Sequence, residues 1–153
     1  MQIEFKEAYD DLESIRLLFE EYTRSLGIDL AFQNYAQELA NLPGKYAAPD
    51  GRLYIAYANG VPAGCIGLRR FDMQRCEMKR LYVRDQFRGL KVGELLAEKV
   101  IGEAKAIGYR AMLLDTLSSM QIARGLYKKL GFTEIAPYYN SPVAGTCFLC
   151  LTL

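Results

Sequence analysis

The sequence predicts an α/β protein built on a mixed, mostly antiparallel sheet with helices on its faces. Three observations point there: short β-rich runs alternate with amphipathic helical stretches, two of those runs are joined by the tight-turn pair Asn59-Gly60, and later runs are separated by full helices. At 153 residues the chain is expected to form one domain, 1–153, with no linker, repeat or low-complexity segment.

The elements follow in order. "QIEF" alternates as a short first strand, and "AYDDLESIRLLFEEYTRSLG" places Leu12, Ile15, Leu18, Phe19 and Tyr22 on one helical stripe that Gly27 ends. "FQNYAQELANLPG" reads as a second, shorter helix stopped by Pro43 and Gly44. "RLYIAYANGVPAGCIGLRRF" is a hairpin across Asn59-Gly60. In the next strand, "CEMKRLYVR", Met78 points inward while Leu81 and Val83 have the opposite parity. The alternation therefore slips once near Lys79 or Arg80, as a β-bulge would cause. A helix from about Gly89 to Ile107 is closed by Gly108, and "RAMLLDT" is a buried strand. "SSMQIARGLYKKLGF" is a helix with Ser118 or Ser119 as cap, Ile122, Leu126 and Leu130 as its stripe and Gly131 as its stop. The tail supplies a short strand, a loop and a last strand, giving the order βααβββαβαββ.

Composition removes whole classes of function. Nineteen basic and 18 acidic side chains nearly cancel, so no nucleic-acid partner is expected and any anion site must be local. No apolar run is long enough to span a bilayer and the start lacks a leader pattern, so a cytoplasmic protein without membrane contact is expected. Histidine is absent, which excludes Ser-His-Asp and Cys-His nucleophile systems and His-based zinc sites; no metal is expected. Cys65, Cys76, Cys147 and Cys150 sit in strand-like contexts. The odd spacing of the last two places them on opposite faces of a strand, as packing cysteines rather than a redox or metal pair.

The stretch "RLYVRDQFRGLKVGELLAEKV" runs from a strand through Gly89 and Gly93 into a helix, leaving backbone N–H groups at the helix start open to an anion. Two nucleotide motifs fail there: Gly93 is followed by Glu94 rather than Lys-Ser/Thr, and "GLKVGE" lacks the third glycine of G-x-G-x-x-G.

"CEMKRLYVRDQFRGLKVGELL" with "LDTLSSMQIARGLYKKLGF" resembles the GNAT superfamily of acyl-CoA N-acyltransferases, and the element order agrees along essentially the whole chain. The family's phosphate turn, Gln/Arg-x-x-Gly-x-Gly/Ala, is matched by Gln86 to Lys91 except that Lys91 replaces the last Gly or Ala. An ordinary φ is expected there, at a first-turn helical residue. The resemblance implies a GNAT-type sheet with a central bulged, splayed strand pair, and acetyl-CoA as co-substrate. Its pyrophosphate would lie on the turn at Arg88, Gly89, Leu90, Lys91, Val92 and Gly93, and its pantetheine would pair with Leu81, Tyr82 and Val83. The second family motif is present at Ala123, Leu126, Tyr127, Gly131 and Phe132. Met120 replaces its asparagine, whose hydrogen bond falls to Ser119 or is lost.

By the same resemblance Tyr127 would protonate the departing thiolate and Glu77, six positions before Val83, would accept the amine's proton. Asp115 would either touch substrate or cap the next helix. The implied function is transfer of an acetyl group to a primary amine of a small molecule or peptide by direct attack in a ternary complex; the alternative is a non-catalytic acyl-CoA-binding domain of the same fold. "TRSLGIDLAFQNY" and "PYYNSPVAG" would line the acceptor pocket without coherent charge. A homodimer is left open.

Overall fold

The computed structural model describes residues 2–153. Its elements are β1 (Ile3–Glu7), α1 (Leu12–Leu26), α2 (Tyr35–Ala40), β2 (Arg52–Ala58), β3 (Val61–Arg70), β4 (Arg75–Val83), α3 (Val92–Ile107), β5 (Ala111–Leu117), α4 (Gln121–Lys129), β6 (Thr133–Ile135) and β7 (Thr146–Thr152). The strands form one sheet in the order β1-β2-β3-β4-β5-β7-β6. Every neighbouring pair is antiparallel except β4 with β5.

Both faces of the sheet are covered, and strand parity decides which residue goes where. On β2, Tyr54 and Ala56 join the core under α3, with Leu96, Ala97 and Val100, whereas Leu53 and Ile55 join the opposite core under α1. There the predicted stripe delivers Ile15, Leu18 and Phe19, all fully buried, each contributing about 1.5–3 kcal/mol relative to exposure. The β2–β3 hairpin turns at Asn59 and Gly60, both at positive φ (50° and 82°), as a two-residue type I′ turn requires.

The slip in β4 is a bulge at Arg80. Cys65 pairs with Tyr82 but Gly67 pairs with Lys79, so two steps along β3 oppose three along β4, and Arg80 takes up the extra residue at φ 60°. Gly67 is needed opposite it, because a Cβ there would lie 2.6 Å from the Tyr46 ring that packs across the strand. Beyond the bulge β4 leaves its parallel neighbour. Pairing with β5 covers only Arg75 with Ala111, Cys76 with Met112 and Glu77 with Leu113, after which the two strands splay.

Five expectations are corrected. The helix expected from Gly89 begins at Val92, since Gly89 (φ 84°) and Lys91 (φ 62°) are left-handed and helical backbone cannot start until both are passed. Lys91 therefore lacks the ordinary φ expected of it; it is the N-cap. The expected second helix is broken into a 3₁₀ turn, Ala31–Gln33, and the six-residue α2, because Asn34 between them is also left-handed. At α4 the cap is Met120, without a side-chain bond, and neither Ser118 nor Ser119 caps. The Ser118 amide instead donates to the Gly145 carbonyl at 2.7 Å. Ile122 is 88% exposed, and the inward face of α4 is Ala123, Tyr127 and Leu130, an i, i+4, i+7 stripe set by burial of the tyrosine ring. All four cysteines are free thiols.

Candidate active site

The splay between β4 and β5 opens into a groove of about 890 Å³. Its walls include Leu81, Tyr82 and Val83 from β4, Arg88, Gly89, Lys91, Val92 and Gly93 from the turn, and Ser119 with Leu126 from the α4 side. The residues expected to hold the cofactor are thus gathered along one groove, with two exceptions: Leu90 is 41% exposed and does not line it, and Tyr127, expected as a cofactor contact too, lies beyond its inner end.

The turn is prepared for an anion by its backbone. Phe87 and Arg88 donate their amides back to Arg84 and Asp85, and the first amide satisfied within α3 is that of Leu95, bonded to the Lys91 carbonyl at 3.0 Å. The amides of Val92, Gly93 and Glu94 form the open helix start, where the helix dipole also favours negative charge. Arg88 is exposed, 3.1 Å from Asp85, with its Nε 3.4 Å from the Val83 carbonyl.

At its inner end the groove meets a small recess of about 50 Å³; Tyr22, Leu26, Leu81, Leu117 and Met120 line both. Arg84 donates to Glu21 at 2.7 Å and so holds α1, with Tyr22 and Leu26, against the end of β4. Tyr127 lines the recess, its ring edge-on to Phe132 at 5.8 Å. Burial pushes its phenol well above the ordinary tyrosine value, so the hydroxyl keeps its proton at neutral pH.

The far wall of the recess is charged. Lys79 Nζ lies 3.2 Å from Gln33 Oε1, 3.4 Å from Asp115 and 3.9 Å from Glu77. Arg80 donates to both oxygens of Glu38, at 3.0 and 3.2 Å, and to Gln33 Oε1 at 2.8 Å. The Tyr139 hydroxyl donates to Asp115 at 2.5 Å. Burial draws Lys79 below its ordinary pKa against the pull of Glu77 and Asp115. Burial alone would raise Asp115, but the neighbouring Lys79 charge and the Tyr139 hydrogen bond outweigh it and hold the carboxyl below the usual range.

Glu77 is placed behind this wall. It is 3% exposed, one oxygen accepting from Arg69 (2.9 Å) and the other from Tyr138 (2.7 Å), and it lines neither the groove nor the recess. Asp115 faces the recess and caps no helix. Both segments expected at an acceptor pocket contribute: Leu26, Ile28, Phe32 and Gln33 from one, Tyr139, Ser141 and Val143 from the other. Sequence reasoning missed Gln33, Lys79 and Arg80 as a unit. The parity slip located the bulge that turns Lys79 and Arg80 into the recess, but nothing in the sequence links them to Gln33. Among the described residues no group of three metal-ligating side chains forms, and no helix is long and apolar enough to cross a membrane.

Comparison with known proteins gives concordant results. A sequence profile described as the Acetyltransferase (GNAT) family matches residues 12–132. An uncharacterised N-acetyltransferase of Schizosaccharomyces pombe is 41% identical over 94% of this chain and 89% of its own length. An acetyltransferase structure from Streptococcus agalactiae superposes with a TM-score of 0.82 over 99% of this chain and 98% of its own, at 22% identity. A GNAT family acetyltransferase from Elizabethkingia anophelis with acetyl-CoA bound aligns over 68% of this chain and 77% of its own, with TM-score 0.59 and 27% identity.

Proposed function

The chain belongs to the GNAT family of acetyltransferases, and from that premise we propose that it moves an acetyl group from acetyl-CoA to a primary amine held in the recess, by direct attack in a ternary complex. One observation carries the reading: the β4–β5 splay joins the open amides at the start of α3 to a recess that holds a buried, protonated tyrosine. The groove fits acetyl-CoA. Its turn offers backbone donors and two exposed cations, Arg88 and Lys91, for phosphates, and the unpaired edge of Leu81 to Val83 suits an extended amide-bearing chain. When bound, acetyl-CoA supplies the activated thioester.

The chain's own groups then act on protons and orientation. An alkylammonium with pKa near ~10.4 is neutral to only roughly one part in a thousand at pH 7, a penalty of about 4–5 kcal/mol, so the amine must be held where it can shed a proton. Asp115 is the carboxylate that faces it. A carboxyl held below the usual range is a weak base, so Asp115 orients the ammonium and water carries off the first proton. Glu77 acts as a positioning residue, fixing Lys79 beside Asp115. Tyr127 gives its Oη proton to the departing sulfur and recovers one from the newly acylated nitrogen. One proton is released to solvent overall.

Calorimetry with acetyl-CoA, followed by thiol release across a panel of amines, tests the reading. Gly89→Val should weaken acetyl-CoA binding, because valine disfavours φ 84° and withdraws the amides, although its Cβ would meet nothing within 4 Å. Binding without transfer to any amine would leave an acyl-CoA-binding domain; unchanged affinity in folded Gly89→Val would remove the site.

A further inference from the structure

Gln33 Oε1 is a neutral oxygen held between two buried cations, 3.2 Å from Lys79 Nζ and 2.8 Å from Arg80 Nη1. Both cations are donors only, so the amide must present its oxygen to them. The Lys79 side chain is 4% exposed and that of Arg80 2%. A carboxylate oxygen in that position would be bound more strongly than the amide, because it adds a full negative charge opposite the two cations where the amide offers them only a dipole. The side chain that occupies it comes from the 3₁₀ turn Ala31–Gln33, a short connection that roofs the recess. Its neighbour Phe32 stacks on Tyr139 at 6.5 Å and 26°, so the roof rests on the opposite wall through contacts that can part.

Charge balance narrows what can enter. Around the recess the cations Arg69, Lys79 and Arg80 face the carboxylates Glu38, Glu77 and Asp115, which leaves no net charge. A simple ammonium would bury an uncompensated positive charge and a simple carboxylate a negative one. A molecule carrying both adds none. The two ends also have matching partners on the same wall: Asp115 for the ammonium, and the Lys79–Arg80 pair for the carboxylate.

We propose that the acceptor is an amino-carboxylate, a small zwitterion whose carboxylate displaces the Gln33 oxygen from between Lys79 and Arg80 while its amine lies against Asp115. This rests on the reading of the recess as the acceptor pocket. The recess of about 50 Å³ holds little more than a water or two, so entry requires the Ala31–Gln33 turn to lift. Gln33 is then a place-holder: it satisfies the two cations in the free protein and yields to a better ligand. Glu38 stays on Arg80 throughout.

The experiment is calorimetric titration of the CoA-loaded protein with glycine, L-alanine, L-aspartate and L-glutamate, each beside its methyl ester and its decarboxylated amine. At least one acid should bind roughly thirtyfold or more tightly than its ester and amine, the scale expected when one partner of a buried charge pair is removed. Gln33→Glu places a tethered carboxylate on the two cations and should weaken that acid's binding by a similar factor. Gln33→Ala should leave it unchanged or tighten it. Acetyl-CoA affinity, measured separately, should be the same in all three proteins. Esters or amines that bind as well as the acids, an acid indifferent to Gln33→Glu, or no binding by any compound while acetyl-CoA binds would each overturn the inference and leave the acetyltransferase reading in place. Failure of acetyl-CoA itself to bind would instead bring down that reading.

Discussion

The groove and the recess meet at Leu81 and Met120 but are made of different material. One wall of the groove is a nearly continuous stretch of chain, Leu81 to Gly93, presenting backbone amides, and side chains from α1 and α4 close its other side. The recess is assembled from five separate stretches of chain and its far wall is ionic: Gln33 reaches Lys79 and Arg80 across separations of 46 and 47 residues. Recognition by backbone depends on conformation more than on side-chain identity. The groove can therefore keep its form with Lys91 in place of glycine and Met120 in place of asparagine. Recognition by a charged wall depends on every member. The groove should tolerate substitutions that disable the recess, and each prediction below sets one against the other.

The largest effect is expected at Arg80. Arg80→Met keeps much of the side chain's volume and the left-handed backbone, and it leaves Glu38 without its bidentate partner. Breaking one side of a buried pair costs about 3–5 kcal/mol, and denaturant unfolding should show a loss of that order. Acetyl-CoA binding to the folded fraction should persist. A loss under about 1 kcal/mol would mean that the wall is wetter than it looks and closer in kind to a surface pair.

Tyr127→Phe comes next, at the junction of the two regions. It retains the ring packed on Phe132 and removes only the hydroxyl, so turnover should fall roughly ten- to a thousandfold with acetyl-CoA affinity nearly unchanged. If affinity falls and turnover holds, Tyr127 belongs to the groove rather than to the chemistry.

The same division explains what was legible in the sequence. Asn59-Gly60 announced its hairpin because both residues tolerate positive φ, and the changed parity of Leu81 and Val83 announced the bulge because burial enforces alternation. Gly89 marked the turn for the same local reason, whereas Gly93 lies inside α3 without positive φ. Lys91 did not reveal its left-handed backbone, since lysine carries no preference for it and the tertiary turn imposes it. Ile122 was misassigned because apolar character alone cannot choose between adjacent faces of α4; the buried Tyr127 ring chose. Glu77 was expected at the amine by its place on the strand, and only the Arg69 and Tyr138 contacts reveal that both its oxygens are occupied. Long-range ion pairs have no period and no spacing, so the recess had to be seen.

Acid should find the recess before the groove. Asp115 is depressed in the folded state, so its contribution is fully present above the ordinary aspartate value of about 3.9 and is lost as pH falls through the lower folded value. Lys79 is depressed too. Between its folded value and the ordinary lysine value the unfolded chain binds more protons, and stability there rises with pH. Denaturant midpoints followed from pH 2.5 upward should therefore climb through the acid range more steeply in the wild type than in Asp115→Asn. Equal slopes would show that Asp115 titrates alike in both states, and the ionic description of the wall would fail.

The smallest effect tests the groove itself. Lys91 sits at φ 62° as the N-cap of α3, a conformation that strains a residue bearing a Cβ and that glycine adopts freely. Lys91→Gly should raise stability by about 0.5–1 kcal/mol, the relief of strain exceeding the extra freedom glycine gives the unfolded chain. It also deletes an exposed charge beside the open amides, worth about 0.2–1 kcal/mol at a surface, so acetyl-CoA affinity should drop by roughly two- to fivefold and depend less on salt. Lys91→Asn separates the two effects, since asparagine tolerates the left-handed region but carries no charge. If both variants lose the same affinity, the lysine contributes charge to a turn whose shape is already set. If Lys91→Gly loses more than about tenfold while Lys91→Asn holds, the side chain is fixing the turn, and the groove depends on its side chains as the recess does.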